Sequence, residues 1–340
     1  MKQTGMVITS INKPTPEFLE ILRMRSNDNE SIIVIGDLKS QLGWELDGID
    51  YYDIHRQKEL PFGLSKIAAF NHYSRKNLGY LIQFEKGLDW IYETDDDNYA
   101  LTSPFLDRHL DLQAEIYVKD SLWFNIYNPF LLSENVNSKK IWPRGLDLQS
   151  INLESPKEQI FMKLSCPIQQ GLANGDPDVD AIYRLLYSSE TNFGQRQPIA
   201  LDNDQWAPIN SQSTWWNKGF FRLMYLPSTC SFRLTDIIRG YVALRILFSM
   251  NKTVSYHSPI VYQKRNEHNL LNDFNDEILL YTKSNKIVEG LREIVFEENE
   301  TLGSKLRKCY LNLIDMGIVS AEELNFLSAW EQDCDQLSVA

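Results

Sequence analysis

The run Trp90-Ile91-Tyr92-Glu93-Thr94-Asp95-Asp96-Asp97-Asn98 ends an apolar, β-prone stretch on three consecutive carboxylates. Like charges at neighbouring positions repel and raise one another's pKa, so this crowding is costly unless something positive sits there. A hard divalent cation removes the cost, because Mg²⁺ and Mn²⁺ are held by one or two carboxylates together with substrate phosphates. The carboxyl end of a strand is also where open α/β sheets bind ligands. The cluster thus points to a metal–diphosphate site, with a solvated acidic turn as the plainer alternative.

Other polar groups could serve the same chemistry. Leu64, Ile67, Ala68, Leu78, Leu81 and Ile82 share one helical face, and its continuation places Asn71 and Arg75 where apolar residues belong. Either the helix breaks near His72 and the basic residues are solvated, or Arg75, Lys76 and Asn77 face a nucleotide whose diphosphate is clamped at Asp97. Gly79 beside them would let a backbone or ligand approach closely. Asp37 follows an apolar run, where a carboxylate can accept hydrogen bonds from a ribose or base, and Lys39 could reach a phosphate. On the acceptor side, the loop Gly171–Asp180 brings Asp176 and Asp178, and the loop Ala207–Trp216 brings Asn210 and Trp215. Amides and an indole are suited to a polyol, the flat ring matching the C–H face of a sugar. Arg233 precedes Thr235-Asp236 at the mouth of a helix, where Asp236 either caps the helix or deprotonates an acceptor hydroxyl.

The elements that must position these groups are legible. Met6–Ile11 reads as a buried strand, Thr15–Arg23 as a helix after Pro14, and Ser31–Ile35 as a second, β-branched strand. Strand–helix–strand at this spacing is a parallel βαβ unit. Pro61–Gly87 reads as a longer helical segment feeding the strand Asp89–Thr94. The expected class is α/β, a Rossmann-like and mainly parallel central sheet flanked by helices. No GxGxxG occurs, so the sheet is not set up for a nicotinamide or flavin. A domain over 1–272 divides into a nucleotide-binding half (about 1–100) and an acceptor half (about 101–272). From about Asp273 the pattern is a helical C-terminal extension (273–340), with Ser320–Glu323 as a capping box opening the last helix. That extension carries no evident chemistry and would pack on the domain or serve as a homo-oligomer interface.

Composition narrows the classes. The 340 residues suffice for a large core, and a formal net charge of −12 argues against a non-specific nucleic-acid or anionic-membrane surface. No apolar run approaches the roughly 18 residues of a spanning helix. Cys166, Cys230, Cys309 and Cys334 form no CxxC pair and read as reduced thiols. The expected location is cytoplasmic, peripheral to a membrane at most.

The ordered set Gly-Asp-Leu-Lys (36–39), Ser-Arg-Lys-Asn-Leu-Gly-Tyr-Leu (74–81), Ile-Tyr-Glu-Thr-Asp-Asp-Asp-Asn (91–98), Gly-Asp-Pro-Asp-Val-Asp-Ala (175–181) and Phe-Arg-Leu-Thr-Asp-Ile-Ile-Arg-Gly-Tyr (232–241) resembles the STELLO-type glycosyltransferases. The similarity runs from about Met6 to Asn269. It implies a GT-A nucleotide-diphospho-sugar fold and metal-dependent transfer, with Mn²⁺ or Mg²⁺, from a nucleotide-sugar donor to a carbohydrate acceptor. On this sequence Asp95 and Asp97 match the DxD positions, Asp97 as the direct metal ligand and Asp95 nearer the ribose. Asp96 lies between them at the donor site, and Asp37 matches a nucleotide contact. Many GT-A enzymes add a late histidine to the metal, for which His257 and His268 are the candidates here. A UDP-sugar donor and a surface polysaccharide as destination complete the expectation; the reaction inverts with Asp236 as base, the favoured case, and a retaining mechanism is equally open where Asp236 only binds the acceptor or caps its helix. A non-catalytic GT-A-like binding or scaffold module is the rival. A nucleotidyltransferase ranks last, because Thr9–Pro14 is not a glycine-rich triphosphate loop.

Overall fold

Strands buried on both faces need apolar runs rather than alternation, and the runs in the first hundred residues form such strands. The computed structural model describes residues 3–25, 30–132, 140–187, 190–264 and 269–339. Strand β1 (Thr4–Thr9) lies parallel between β2 (Ile32–Ile35) and the later β4 (Trp90–Asp95), and β3 (Asp50–Tyr52) extends the parallel set beyond β2. Helix α1 (Pro16–Arg23) connects β1 to β2, while α2 (Ile54–Lys58) and α3 (Lys76–Phe84) precede β4. The chain steps outward from β1 to β3 and then returns to β4 on the other side of β1. That reversal makes the carboxyl ends of β1 and β4 a topological switch point, the place where α/β sheets bind ligands.

Beyond β4 the sheet changes character. The further strands are β5 (Asn98–Ala100), β6 (Asp111–Tyr117), β7 (Gln159–Ser165), β8 (Ile168–Gly175), β9 (Ile199–Ala200), β10 (Ser213–Asn217) and β11 (Val254–Gln263). The described strands form one eleven-stranded sheet in the order β3-β2-β1-β4-β10-β8-β11-β9-β6-β7, with β5 pairing β11. β10 runs antiparallel to both β4 and β8, whereas β8 and β11 are parallel. The Rossmann-like α/β class is therefore as expected, but the parallel character belongs to the β3–β4 half and the rest is mixed.

The expected helix over Pro61–Gly87 is interrupted. Single 3₁₀ turns at Leu64–Lys66 and Tyr73–Arg75 precede α3, which alone is regular helix. Asn71 sits at φ 51°, a left-handed conformation Asn tolerates, and the extended His72 accepts a hydrogen bond from the Ser74 N–H through Nδ1 (3.2 Å). Gly79 does not receive a ligand. A Cβ there would lie 2.5 Å from Val7 Cγ1, so the glycine brings α3 down onto β1.

Helices α4 (Ala181–Leu186) and α5 (Thr235–Phe248) come among the later strands, followed by α6 (Leu270–Asp276), α7 (Ile278–Glu293), α8 (Leu302–Asp315) and α9 (Glu323–Gln336). Leu280, Ile287, Leu306, Leu313, Leu327 and Trp330 join the same buried core as Leu78, Leu81, Leu244 and Leu247. The capping box expected at Ser320–Glu323 is absent: the Glu323 side chain turns inward to residues 225–229 instead. Among the described residues, no helix is long and apolar enough to cross a membrane.

Candidate functional site

Register brings the sequence-distant groups together. Thr9 pairs with both Ile35 and Asp95, so the ends of β1, β2 and β4 deliver Ser10, Gly36-Asp37 and Asp96-Asp97 to one rim. They open a pocket of about 670 Å³ whose far wall comes from Arg144, Asp178, Arg184, Ser211, Arg233 and Asp236. Asp37, Lys39, Arg75, Asp95, Asp96, Asp97, Asp178, Arg233 and Asp236 all line it, as the sequence predicts.

Each aspartate of the cluster is held by a different neighbour. Asp95 Oδ1 accepts from the Tyr73 hydroxyl (2.8 Å) and lies 3.5 Å from Lys76 Nζ. Asp96 Oδ2 accepts from Ser10 Oγ (2.6 Å) and Asn12 Nδ2 (3.1 Å), and Asp97 accepts from Gln263 Nε2 (3.1 and 3.0 Å). Burial pushes the Asp95 carboxyl up to about 7, with the Asp97 charge adding to the rise and Lys76 opposing it. The Asp95 side chain nevertheless keeps 31% of its surface open. Two carboxylates repelling one another in a pocket fit a hard cation whose remaining positions go to phosphates and water. Among the described residues, no group of three or more His, Cys, Asp or Glu is gathered for a metal.

The opposite wall already holds its own cation. Arg144 makes paired bonds to Asp178 (Nε–Oδ1 and Nη2–Oδ2, both 2.8 Å) and to Asp236 (Nη1–Oδ1 3.1 Å, Nη2–Oδ2 3.0 Å). Ser211 adds its N–H and hydroxyl to Asp236 Oδ2, each at 3.2 Å. Burial works to raise the Asp236 pKa, but the Arg144 charge and hydrogen bonds outweigh it and hold the carboxyl down at about 2. One turn further along α5, Arg239 binds Glu93 of β4 (2.7 and 2.9 Å) in a fully buried pair. That pair fixes the start of α5, and so Asp236, against the strand that ends in Asp95.

Several expected ligands serve the scaffold instead. Lys76 is fully buried, donating to Tyr73 Oη and the Thr94 carbonyl (both 2.8 Å), so it supports Asp95 and does not reach a phosphate. Asn77 exchanges two hydrogen bonds with the Leu226 backbone (2.8 and 2.9 Å). Arg75 reaches the pocket wall, but its Nε is committed to Gln57 (2.7 Å) and its Nη1 to the carbonyls of Ala68 and Ala69 (3.0 and 3.2 Å). Asp176 pairs with Arg184 and lies off the pocket wall. Asn210 accepts from the Gln212 N–H and the Thr214 hydroxyl, bracing its own loop. Trp215 is fully buried, its ring tilted against Tyr92 (centroids 4.6 Å apart) and its indole N–H on the Pro104 carbonyl (2.8 Å), so it meets no sugar. His257 lies in the interior of β11, six residues before the Gln263 that meets Asp97, and bonds Ser255 Oγ (3.0 Å). Burial lowers its pKa to about 3, with the Arg108 charge adding to the fall. His268 lies outside the described residues.

Sequence reading missed Tyr73, Arg144, Ser10, Ser211 and Gln263. Tyr73 is the most informative of these. Its hydroxyl touches Asp95, Lys76 and Ser211 Oγ (2.6 Å), linking the donor carboxylates to Asp236 through Ser211. Its only sequence signal was its place beside the break at Asn71-His72.

A family model for the STELLO glycosyltransferases matches residues 233–340. The chain is 26% identical over 354 residues to "Probable glycosyltransferase STELLO2" of Arabidopsis thaliana, covering 96% of this chain and 44% of the relative. It is 25% identical over 347 residues to "Probable glycosyltransferase STELLO1" of the same plant, with the same coverage. The chain thus spans less than half the length of the curated relatives it matches. Among solved structures, glucosyl-3-phosphoglycerate synthase from Mycobacterium tuberculosis in complex with phosphoglyceric acid aligns at TM-score 0.36 and 10% identity, over 94% of this chain and 82% of that one. The likeness to STELLO glycosyltransferases therefore extends along nearly the whole chain, including the C-terminal helices beyond Asn269 that the ordered motifs do not reach.

Proposed function

We propose that this chain is a metal-dependent glycosyltransferase that moves a sugar from a nucleotide-sugar to a hydroxyl acceptor. The observation that carries the reading is the convergence of Asp37, Asp95, Asp96 and Asp97 at the β1–β4 switch point, facing a separate wall of Arg144, Asp178 and Asp236. A divalent cation bound there supplies Lewis-acid stabilisation of the diphosphate leaving group. Asp97 and Asp95 would hold it, with Tyr73 and Lys76 fixing the Asp95 carboxylate and Gln263 fixing Asp97. Asp37 and Lys39, at the end of β2, would take the nucleoside and a phosphate. A UDP-sugar is the favoured donor.

The acceptor side needs a revised role for Asp236. A general base works best with a pKa near the working pH. Asp236 is held at about 2, and both its oxygens are occupied by Arg144 and Ser211. These features support an anchoring carboxylate that orients the acceptor wall, and they remove the ground for inversion with Asp236 as base. They also favour, as a second reading, a module that binds nucleotide-sugars without turning them over.

Nucleotide release from UDP-, GDP-, CMP- and dTDP-sugars, with Mn²⁺ or EDTA, separates the two. Metal-dependent release from one donor, lost in Asp97→Ala, supports the transferase. Metal-dependent binding without release, with any acceptor tried, supports the module. No binding at all contradicts both.

A further inference from the structure

The C-terminal helix α9 contributes two buried carboxylates, which among the described residues are held by backbone N–H groups and hydroxyls rather than by basic side chains. Asp333 accepts from the N–H groups of Gly63 (2.7 Å) and Leu64 (2.9 Å). Glu323, fully buried, accepts from the Tyr225 hydroxyl, from the N–H of Ser228 (3.0 and 3.1 Å), and from the N–H and hydroxyl of Thr229 (2.8 and 2.6 Å). Burying a carboxylate is costly, so one placed among backbone N–H groups commits those groups to a single arrangement. Neither carboxylate contributes to the helix cap that the local sequence suggests.

The segment gripped by Glu323 leads straight to the pocket. Ser228 Oγ meets Ser74 Oγ (3.0 Å), and the Cys230 carbonyl accepts from His72 Nε2 (2.9 Å), which must carry the proton because Nδ1 accepts from the Ser74 N–H. Tyr73 lies between these two contacts, its ring edge-on to Phe232 (5.2 Å) and its hydroxyl on Asp95. A continuous set of contacts thus runs from Glu323 through Ser228 and Ser74 to Tyr73 and Asp95. The geometry points to Glu323 as a positioning residue for the donor site: α9 clamps residues 228–230, which in turn hold the His72–Ser74 turn and set the Tyr73 hydroxyl against Asp95. The helical extension is then a working part of the nucleotide-sugar site. This inference rests on the nucleotide-sugar reading of the pocket.

The test uses the full chain with UDP and Mn²⁺ as the probe, read by calorimetry and by amide hydrogen exchange. Glu323→Gln should weaken UDP–Mn²⁺ binding by about 3- to 30-fold, the range for residues that act through a contact network. Amides of 72–75 should lose protection together with those of 228–230. Ser228→Ala, which cuts the link to Ser74 and leaves the carboxylate in place, should shift both readouts in the same direction by less, and decides the matter alone if Glu323→Gln does not fold. Leu327→Ala opens a cavity in the same helix without touching the clamp, and should lower Tm while leaving UDP affinity unchanged. Unaltered exchange at 72–75 when 228–230 opens would overturn the inference. So would a loss of affinity in Leu327→Ala equal to that in Glu323→Gln. If the wild-type chain fails to bind UDP or any nucleotide-sugar, the pocket reading fails and the donor-site role with it, whereas coupled exchange in a chain that does bind upholds the clamp.

Discussion

The two acidic walls of the pocket are treated in opposite ways. On one side Tyr73 and Lys76 hold Asp95, Ser10 holds Asp96 and Gln263 meets Asp97, and burial with the Asp97 charge pushes Asp95 up to about 7. On the acceptor side Asp178 and Asp236 share Arg144, and Asp236 is held at about 2. On the first wall burial and the Asp97 charge outweigh Lys76, so the Asp95 carboxylate would gain from a positively charged ligand. The second has been neutralised by its own chain. Count of carboxylates alone does not reveal a cation site; what matters is whether the fold has already supplied the cation.

The largest effect should come from taking away that internal cation. Arg144→Ala leaves the buried Asp178 and Asp236 carboxylates with only more distant cations, Arg233 lying 3.9 Å from Asp178, and should cost about 3–5 kcal/mol in a urea titration. A cost below about 1 kcal/mol would mean that the acceptor wall does not depend on the pairing.

The walls should also differ in the sign of their pH response. Asp95, raised in the fold, binds more protons folded than unfolded, so its contribution is complete below about 4 and is lost as pH rises through about 7. Asp236, depressed in the fold, contributes above about 4 and loses that contribution as pH falls through about 2. His257, lowered to about 3, has the same sign as Asp236 but loses stability from about 6.5 downward, and so masks Asp95. In a metal-free His257→Gln background, stability should rise by about 1–2 kcal/mol as pH falls from 7.5 to 4.5. Adding Asp95→Asn should reduce that rise, leaving the part that Asp180, pushed up by burial to about 6, contributes with the same sign, and thermal melts across the range check it.

The smallest of these effects concerns the bridge between the walls. Tyr73→Phe removes the hydroxyl shared by Asp95, Lys76 and Ser211. Losing a buried hydrogen bond to a charged group is worth about 1.5 kcal/mol, so metal-dependent nucleotide release should fall about tenfold with the fold intact. Unchanged release in Tyr73→Phe would separate the walls functionally.

The donor wall was largely legible in the sequence because it obeys local rules. The apolar runs before Asp37 and Asp95 specify parallel strands, and parallel strands put their carboxyl ends on one side. The acceptor wall was not, because Arg144 meets Asp178 and Asp236 across 34 and 92 residues, a closure no local pattern announces. Lys76 and Asn77 misled in an instructive way. Polar residues in a buried stripe must find partners, and theirs are the Thr94 carbonyl and the Leu226 backbone. Trp215 likewise follows a polar loop in sequence yet enters β10, a strand buried on both faces. The Asn71 break was open in the sequence as one of two readings; that it would present Tyr73 to Asp95 depended on tertiary contacts with residues 228–232.

The most direct measurement is Mn²⁺ binding by calorimetry, with and without UDP, to the wild-type chain and to Asp97→Ala. The expected result is binding that UDP strengthens in the wild type and that Asp97→Ala weakens by about 100-fold, as for loss of a group that fixes a site's charge. Absence of Mn²⁺ binding in the wild type with UDP present, or equal affinity in Asp97→Ala, would contradict the assignment of the donor wall as the cation site.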